Sequence, residues 1–176
     1  MTRRSKISMP ASIHANECVN FRKDDRTVLV EGGVSAKFVN PRNRLVRVIK
    51  YDSCLCREKR AKRADYIIGE VNSIDVIVEL KGSDSNLKGS DDRSAARQVE
   101  ATLIEWRKNE LAARRIAALI VFGRMEGNKK GAGRRPRARS TIQSLEAYFL
   151  RRFQILLLVR ESGQVQFRFD DFMPRH

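Results

Sequence analysis

The sequence predicts an α/β fold, with a mixed central β-sheet flanked by helices. Short runs rich in β-branched residues recur at strand length, above all at 74–78 and 116–122. Two later segments instead space their apolar residues as one face of a helix does. The order of these segments, a β-meander followed by helix, strand, helix and strand, is that of a mixed sheet with helical cover.

Residues 1–12 read as a basic flexible tail, and 13–176 as a single domain. A short helix is expected at 13–21. Strands at 27–30 and 35–39 flank Gly32-Gly33, a hairpin-type turn. Residues 45–51 alternate apolar and basic side chains and read as a strand whose faces are not cleanly separated. Strands at 66–69 and 74–80 follow across a polar turn, and a Ser/Asp/Gly loop covers 82–89. Ser90, Asp91 and Asp92 supply a cap and first-turn acids for a helix. Ala95, Val99, Leu103 and Trp106 form its apolar stripe, which makes the sole tryptophan a core residue rather than a base-stacking platform. The nearly continuous apolar run 116–122 suits a central strand. Ser140 to Gln143 is a capping-box pattern opening a second helix, with Ile142, Leu145, Tyr148 and Phe149 on one side. Strands at 155–159 and 165–169 close the chain.

At 176 residues the chain can bury a core without disulfides. No run of 18 apolar residues is present, so no membrane span is expected, and the basic N-terminus lacks the apolar stretch of a secretory signal. An odd cysteine count, three, argues against a disulfide framework and for a reducing cytoplasm. There are 36 Lys plus Arg against 21 Asp plus Glu, a formal charge of +15, which favours a polyanionic partner, most simply nucleic acid.

The cations are concentrated in two places. Residues 42–63 are dense in Arg and Lys, including Arg60, Lys62 and Arg63. The Gly/Arg segment 127–139 carries Lys129, Lys130, Arg134, Arg135, Arg137 and Arg139 and no acid except at its upstream flank. Its glycines and proline exclude regular structure. It is either a solvated linker or, the reading its six cations favour, a phosphate-gripping loop.

The densest chemistry lies in 64–84, ADYIIGEVNSIDVIVELKGSD. Residues i and i+2 of a strand share a face, roughly 7 Å apart, so Glu79 and Lys81 project together while Leu80 turns to the core. If the two runs pair as a hairpin, Asp65 meets them at one sheet edge. Two adjacent carboxylates make a hard-oxygen site for Mg²⁺, and a lysine beside them can orient or deprotonate water or steady charge on a phosphate.

The Asp65, Glu79 and Lys81 set resembles the active-site signature of the PD-(D/E)xK nuclease superfamily, over roughly residues 45–122. The resemblance implies a restriction-endonuclease-like fold and a Mg²⁺-dependent nuclease, with Mn²⁺ able to substitute. Asp65, Glu79 and the carbonyl of Leu80 would then be metal ligands, Lys81 would position the attacking water, and Gln98, on the following helix, would orient the site. It also implies an upstream acid, Glu17 as first choice and Glu31 as second, and action as a homodimer in restriction, phage defence or junction cleavage. Ala64 stands where the family usually has proline. The alternatives are a non-catalytic nucleic-acid-binding protein on the same fold, and a protein that binds an acidic partner protein.

Other chemistry is less supported. His14, Cys18, Cys54 and Cys56 are zinc-ligand types, but their spacing is not that of a knuckle, and reduced thiols packed near the core are the simpler expectation. Two histidines, one of them the final residue, disfavour a nucleophilic triad. No phosphate-binding glycine loop is present.

Overall fold

The computed structural model describes residues 18–55, 62–82, 91–123, 139–162 and 166–173. It is a mixed α/β structure of nine strands and two α-helices among those residues: β1 (Val19–Arg22), β2 (Arg26–Glu31), β3 (Val34–Val39), β4 (Val46–Lys50), β5 (Tyr66–Glu70), β6 (Ile74–Lys81), α1 (Asp91–Trp106), β7 (Arg115–Phe122), α2 (Arg139–Phe153), β8 (Leu157–Glu161) and β9 (Gln166–Arg168). A π-helical turn, Tyr51–Leu55, follows β4, and a 3₁₀ turn, Phe169–Phe172, ends the described chain.

Six strands form the main sheet in the order β1-β4-β5-β6-β7-β8. The first three neighbouring pairs are antiparallel; β6/β7 and β7/β8 are parallel. A smaller sheet, β2-β3-β9, covers one face, and the helices cover the other. The period of two along each strand sorts side chains between two cores. Ile67, Ile77, Ala118 and Ile120 face the helices with Val99, Leu103, Trp106 and Phe149. Val76, Val78, Leu80, Leu119 and Val121 face the small sheet with Leu29, Ala36 and Phe38. Both faces of β6 and β7 are thus covered, which is why β7 is a nearly continuous apolar run and β6 is one interrupted only by Asp75 and Glu79 before its closing Lys81, rather than alternating strands. It also accounts for β4, whose mixed pattern reflects Val46 and Val48 toward one core and Ile49 toward the other.

Asp75 is a charge inside this apolar frame, 1 % exposed. Its carboxylate receives Arg47 Nη2 at 2.9 and 3.1 Å, Trp106 Nε1 at 2.8 Å and the Ala113 N–H at 2.7 Å. The Arg47 guanidinium also lies 5.4 Å from the Trp106 ring centroid. Gly69, opposite Asp75 in the β5/β6 ladder, leaves room for that carboxylate: a Cβ there would collide with Asp75 Oδ1.

Two expectations are corrected. Of the segment predicted as helical at 13–21, residues 13–17 lie outside the described residues and Cys18 is helical, but the chain is extended from Val19, where β1 pairs with β4 in the register Val19↔Ile49; there inter-strand pairing overrides a weak local preference. That same pairing carries Cys18 over the turn after β4, and Cys18 and Cys54 are joined as a disulfide with Cα atoms 5.5 Å apart. The two therefore are not reduced thiols, nor thiolate ligands for zinc. Smaller differences are that β8 begins at Leu157 rather than 155, β9 (Gln166–Arg168) gives way at Phe169 to a 3₁₀ turn, residue 165 lying outside the described residues, and Arg139 opens α2 instead of closing the basic loop. Among the described residues no helix is long and apolar enough to cross a membrane.

Candidate active site

Residues 75, 77, 79 and 81 of β6 all face the helices. α1 runs antiparallel to β6 across them, with Gln98 over Lys81 at one end and Trp106 over Asp75 at the other. The three-residue turn after β5 sets the hairpin register Tyr66↔Val78, which brings Asp65 to the level of Glu79 and Leu80. Asp65 Oδ2 accepts the Leu80 N–H at 2.7 Å. The Asp65 carbonyl accepts the Tyr51 N–H at 2.8 Å, so both ends of this residue are held.

Continuing the β5/β6 ladder by two residues would pair Ala64 with Leu80. Instead the Ala64 N–H donates to Thr102 Oγ1 on α1, at 2.8 Å, and the Leu80 N–H is taken by the Asp65 side chain. The β5/β6 ladder ends at Tyr66↔Val78, so Leu80 lies beyond its last β5 partner. Proline at position 64 has no N–H and would forfeit the bond to Thr102.

Glu79 is fully buried; the Lys81 ammonium and the Asp65 backbone N–H favour its charged form, though neither meets its carboxylate oxygens in good hydrogen-bond geometry. Its charge partner is Lys81, whose Nζ lies 2.6 Å from Oε1 without hydrogen-bond alignment. Lys81 Nζ donates to Gln98 Oε1 at 2.6 Å, and Gln98 Nε2 donates to the Arg63 carbonyl at 3.0 Å. Gln98 therefore ties the lysine to the segment that leads into Asp65.

Burial pushes the Glu79 carboxyl up to about 8, and the Asp65 charge adds to this while Lys81 pulls back. Burial also raises Asp65 to about 6; the Leu80 N–H and Lys81 oppose the shift, and Glu31 and Asp52 reinforce it. The site is a pair of carboxyl groups that repel each other in a poorly solvated edge, with too little positive charge at hand.

Glu31 ends β2 and enters from the small sheet. The Tyr66 hydroxyl donates to the Val30 carbonyl at 2.8 Å and lies 3.5 Å from Glu31 Oε2. Glu31 is thus the upstream acid that the described structure brings within electrostatic reach of Asp65. Asp52 is a second acid at this edge, and its position on the turn after β4 gave no signal in the sequence. Thr102 was likewise missed; its one signal is a polar residue on the buried stripe of α1.

Asp65, Glu79, Leu80, Lys81 and Gln98 are brought together as expected. Lys62 is exposed beside them. The Arg63 guanidinium is paired with Glu105 Oε2 at 2.8 Å, bracing this segment against α1. Glu17, Arg60, Cys56, His14 and the loop cations Lys129, Lys130, Arg134, Arg135 and Arg137 lie outside the described residues, as does the side chain of Arg139.

Among the described residues no three His, Cys, Asp or Glu side chains stand close enough to share one ion. Mg²⁺ does not need three: it keeps several waters and typically takes one or two carboxylates. A buried carboxylate with poorly aligned partners and a second carboxylate beside it fit such a cation. Compared with family models, curated proteins and solved structures, the chain matches none.

Proposed function

We propose that this protein is a metal-dependent nuclease of restriction-endonuclease-like fold that hydrolyses phosphodiester bonds in nucleic acid, with DNA as the first substrate to test. The observation that carries this reading is the cluster itself: Glu79, a fully buried carboxylate with its pKa raised to about 8, stands next to Asp65 and 2.6 Å from Lys81 Nζ at a sheet edge. Asp75 is held by three well-aligned donor groups; Glu79, repelled by Asp65 and met by poorly aligned partners, gains more from a further cation.

The order β4, β5, β6, α1, β7, with β7 parallel to β6, supports the fold reading. In this reading Asp65, Glu79 and the Leu80 carbonyl hold Mg²⁺. When bound, the ion polarises the scissile phosphate and acidifies a water. Lys81 orients the attacking water and stabilises charge developing on the phosphate. Gln98 holds the lysine in place, and Glu31 adds negative charge from the small sheet. The +15 charge draws in the polyanion. Cutting both strands of a duplex would use two copies of the chain.

The test is incubation of the full chain with plasmid DNA, branched DNA and RNA, each with Mg²⁺, Mn²⁺ or EDTA. Cleavage of one of them that requires the metal supports the reading. Cleavage indifferent to EDTA refutes it, and salt-sensitive binding without cleavage points to the non-catalytic alternative.

A further inference from the structure

The disulfide is connected to the candidate site by a continuous series of hydrogen bonds. Cys54 sits in the Tyr51–Leu55 turn, and Cys18 immediately precedes β1, 36 residues earlier. From that turn, the Tyr51 N–H holds the Asp65 carbonyl at 2.8 Å. Also from that turn, Asp52 Oδ1 accepts the Arg63 N–H at 3.3 Å. The Arg63 carbonyl in turn accepts Gln98, which holds Lys81. One short turn thus fixes the backbone of the first candidate acid and, through Arg63 and Gln98, the lysine. The turn itself is π-helical, a rare geometry of poor intrinsic stability that recurs at functional sites.

We propose that the Cys18–Cys54 bond is a redox-operated brace: oxidised, it clamps the Tyr51–Leu55 turn and thereby sets Asp65 and Lys81; reduced, it lets the turn loosen and the site lose its alignment. The activity part of this rests on the nuclease reading above; the structural part does not. The reductant is a dithiol. One of its thiolates attacks Cys54 Sγ, the half-buried sulfur, and displaces Cys18, which is buried and leaves as a thiolate that takes a proton. The second thiol of the reductant then attacks the mixed disulfide, releasing Cys54 as a thiol and closing the reductant's own disulfide. Two electrons and two protons pass to the protein. Cys56, two residues beyond Cys54, is outside the described residues and is used only as a control.

The experiment compares the full chain after equilibration with reduced or oxidised dithiothreitol, with the Cys18–Cys54 linkage verified by peptide mapping. Amide hydrogen exchange is followed at Tyr51 and Arg63, and Mg²⁺-dependent cleavage of plasmid DNA is measured in parallel. Reduction should speed exchange at both amides on the order of 10-fold. It should slow cleavage by a comparable factor, the scale of a small misplacement of reacting groups, while duplex affinity is unchanged. Cys54→Ser should behave as the reduced protein whatever the reductant, and Cys56→Ser should keep the full response. Equal exchange at Tyr51 and Arg63 in the two redox states overturns the proposal, whatever the cleavage rates. So does global loss of the far-ultraviolet circular dichroism signal on reduction, which would make the bond a plain staple. Redox-dependent exchange without cleavage in either state supports the brace and removes the nuclease reading instead.

Discussion

Glu79→Gln should make the protein more stable at alkaline pH and abolish the proposed cleavage. The reasoning starts from Glu79 being carried by burial from the ordinary 4.5 to about 8. Below pH 4.5 the carboxyl is protonated in both folded and unfolded chains and costs nothing. As pH rises through 4.5 the unfolded chain ionises while the native state does not, so stability falls. The fall continues to about pH 8 and then stops, because the native carboxyl has ionised too. This displacement corresponds to a ceiling of about 4–5 kcal/mol. Asp65, raised from 3.8 to about 6, pushes the same way at lower pH, and the two repelling groups titrate as one system. Glutamine has no charge to desolvate. It also deprives Lys81 of its counter-charge, so the net gain at pH 8 should be smaller, roughly 2 kcal/mol. Urea unfolding at pH 5, 6, 7 and 8, followed by the fluorescence of the buried sole tryptophan, measures this directly. Wild type should weaken from pH 5 to 8, and the variant should show a flatter curve. Added Mg²⁺ should restore wild-type stability more at pH 8 than at pH 6, because the ligands must ionise. A wild-type stability that is level or rises over this range, or a variant less stable than wild type at pH 8, would refute the argument.

Other substitutions separate chemistry from architecture. Lys81→Ala should lower turnover by about 10²-fold or more while leaving DNA affinity nearly unchanged, since one cation among many contributes little to phosphate binding; near-normal turnover would show that the lysine is dispensable. Asp75→Ala should destabilise by about 3–5 kcal/mol, because it leaves Arg47 buried without its counter-charge and takes an acceptor from Trp106; a variant that melts like wild type would contradict the network. Gly69→Ala should destabilise strongly for the same carboxylate, now by steric collision, and a Gly69→Ala/Asp75→Asn pair should not be additive. Replacing Arg134, Arg135, Arg137 and Arg139 together by Ala should flatten the slope of log affinity against log salt on duplex DNA by a few units, at about 0.9 per lost phosphate contact. An unaltered slope would move the binding surface to residues 42–63.

The local patterns of this chain were enough to place β5, β6, α1 and β7, and with them Asp65, Glu79, Lys81 and Gln98. Strand alternation, helix capping and apolar spacing are properties of neighbouring residues, and a hairpin with a three-residue turn has few possible registers. Residues whose role depends on distant segments were not legible in the same way. Asp75 reads as one polar interruption in an apolar run, and only the stacking of β4, β6 and α1 surrounds it with Arg47 and Trp106. Val19–Arg22 became a strand because β4 offered it an edge to pair with. Cys18 met Cys54 through that same pairing, against the expectation from an odd cysteine count. Glu31 reached Asp65 only because the small sheet packs its apolar face on the large one, with Leu29, Ala36 and Phe38 buried between them. Such packing is driven by area removed from water, a non-directional force summed over the whole fold. The sequence alone therefore determined which groups could do chemistry; burial between layers decided which of them resist ionisation, Glu79 above all.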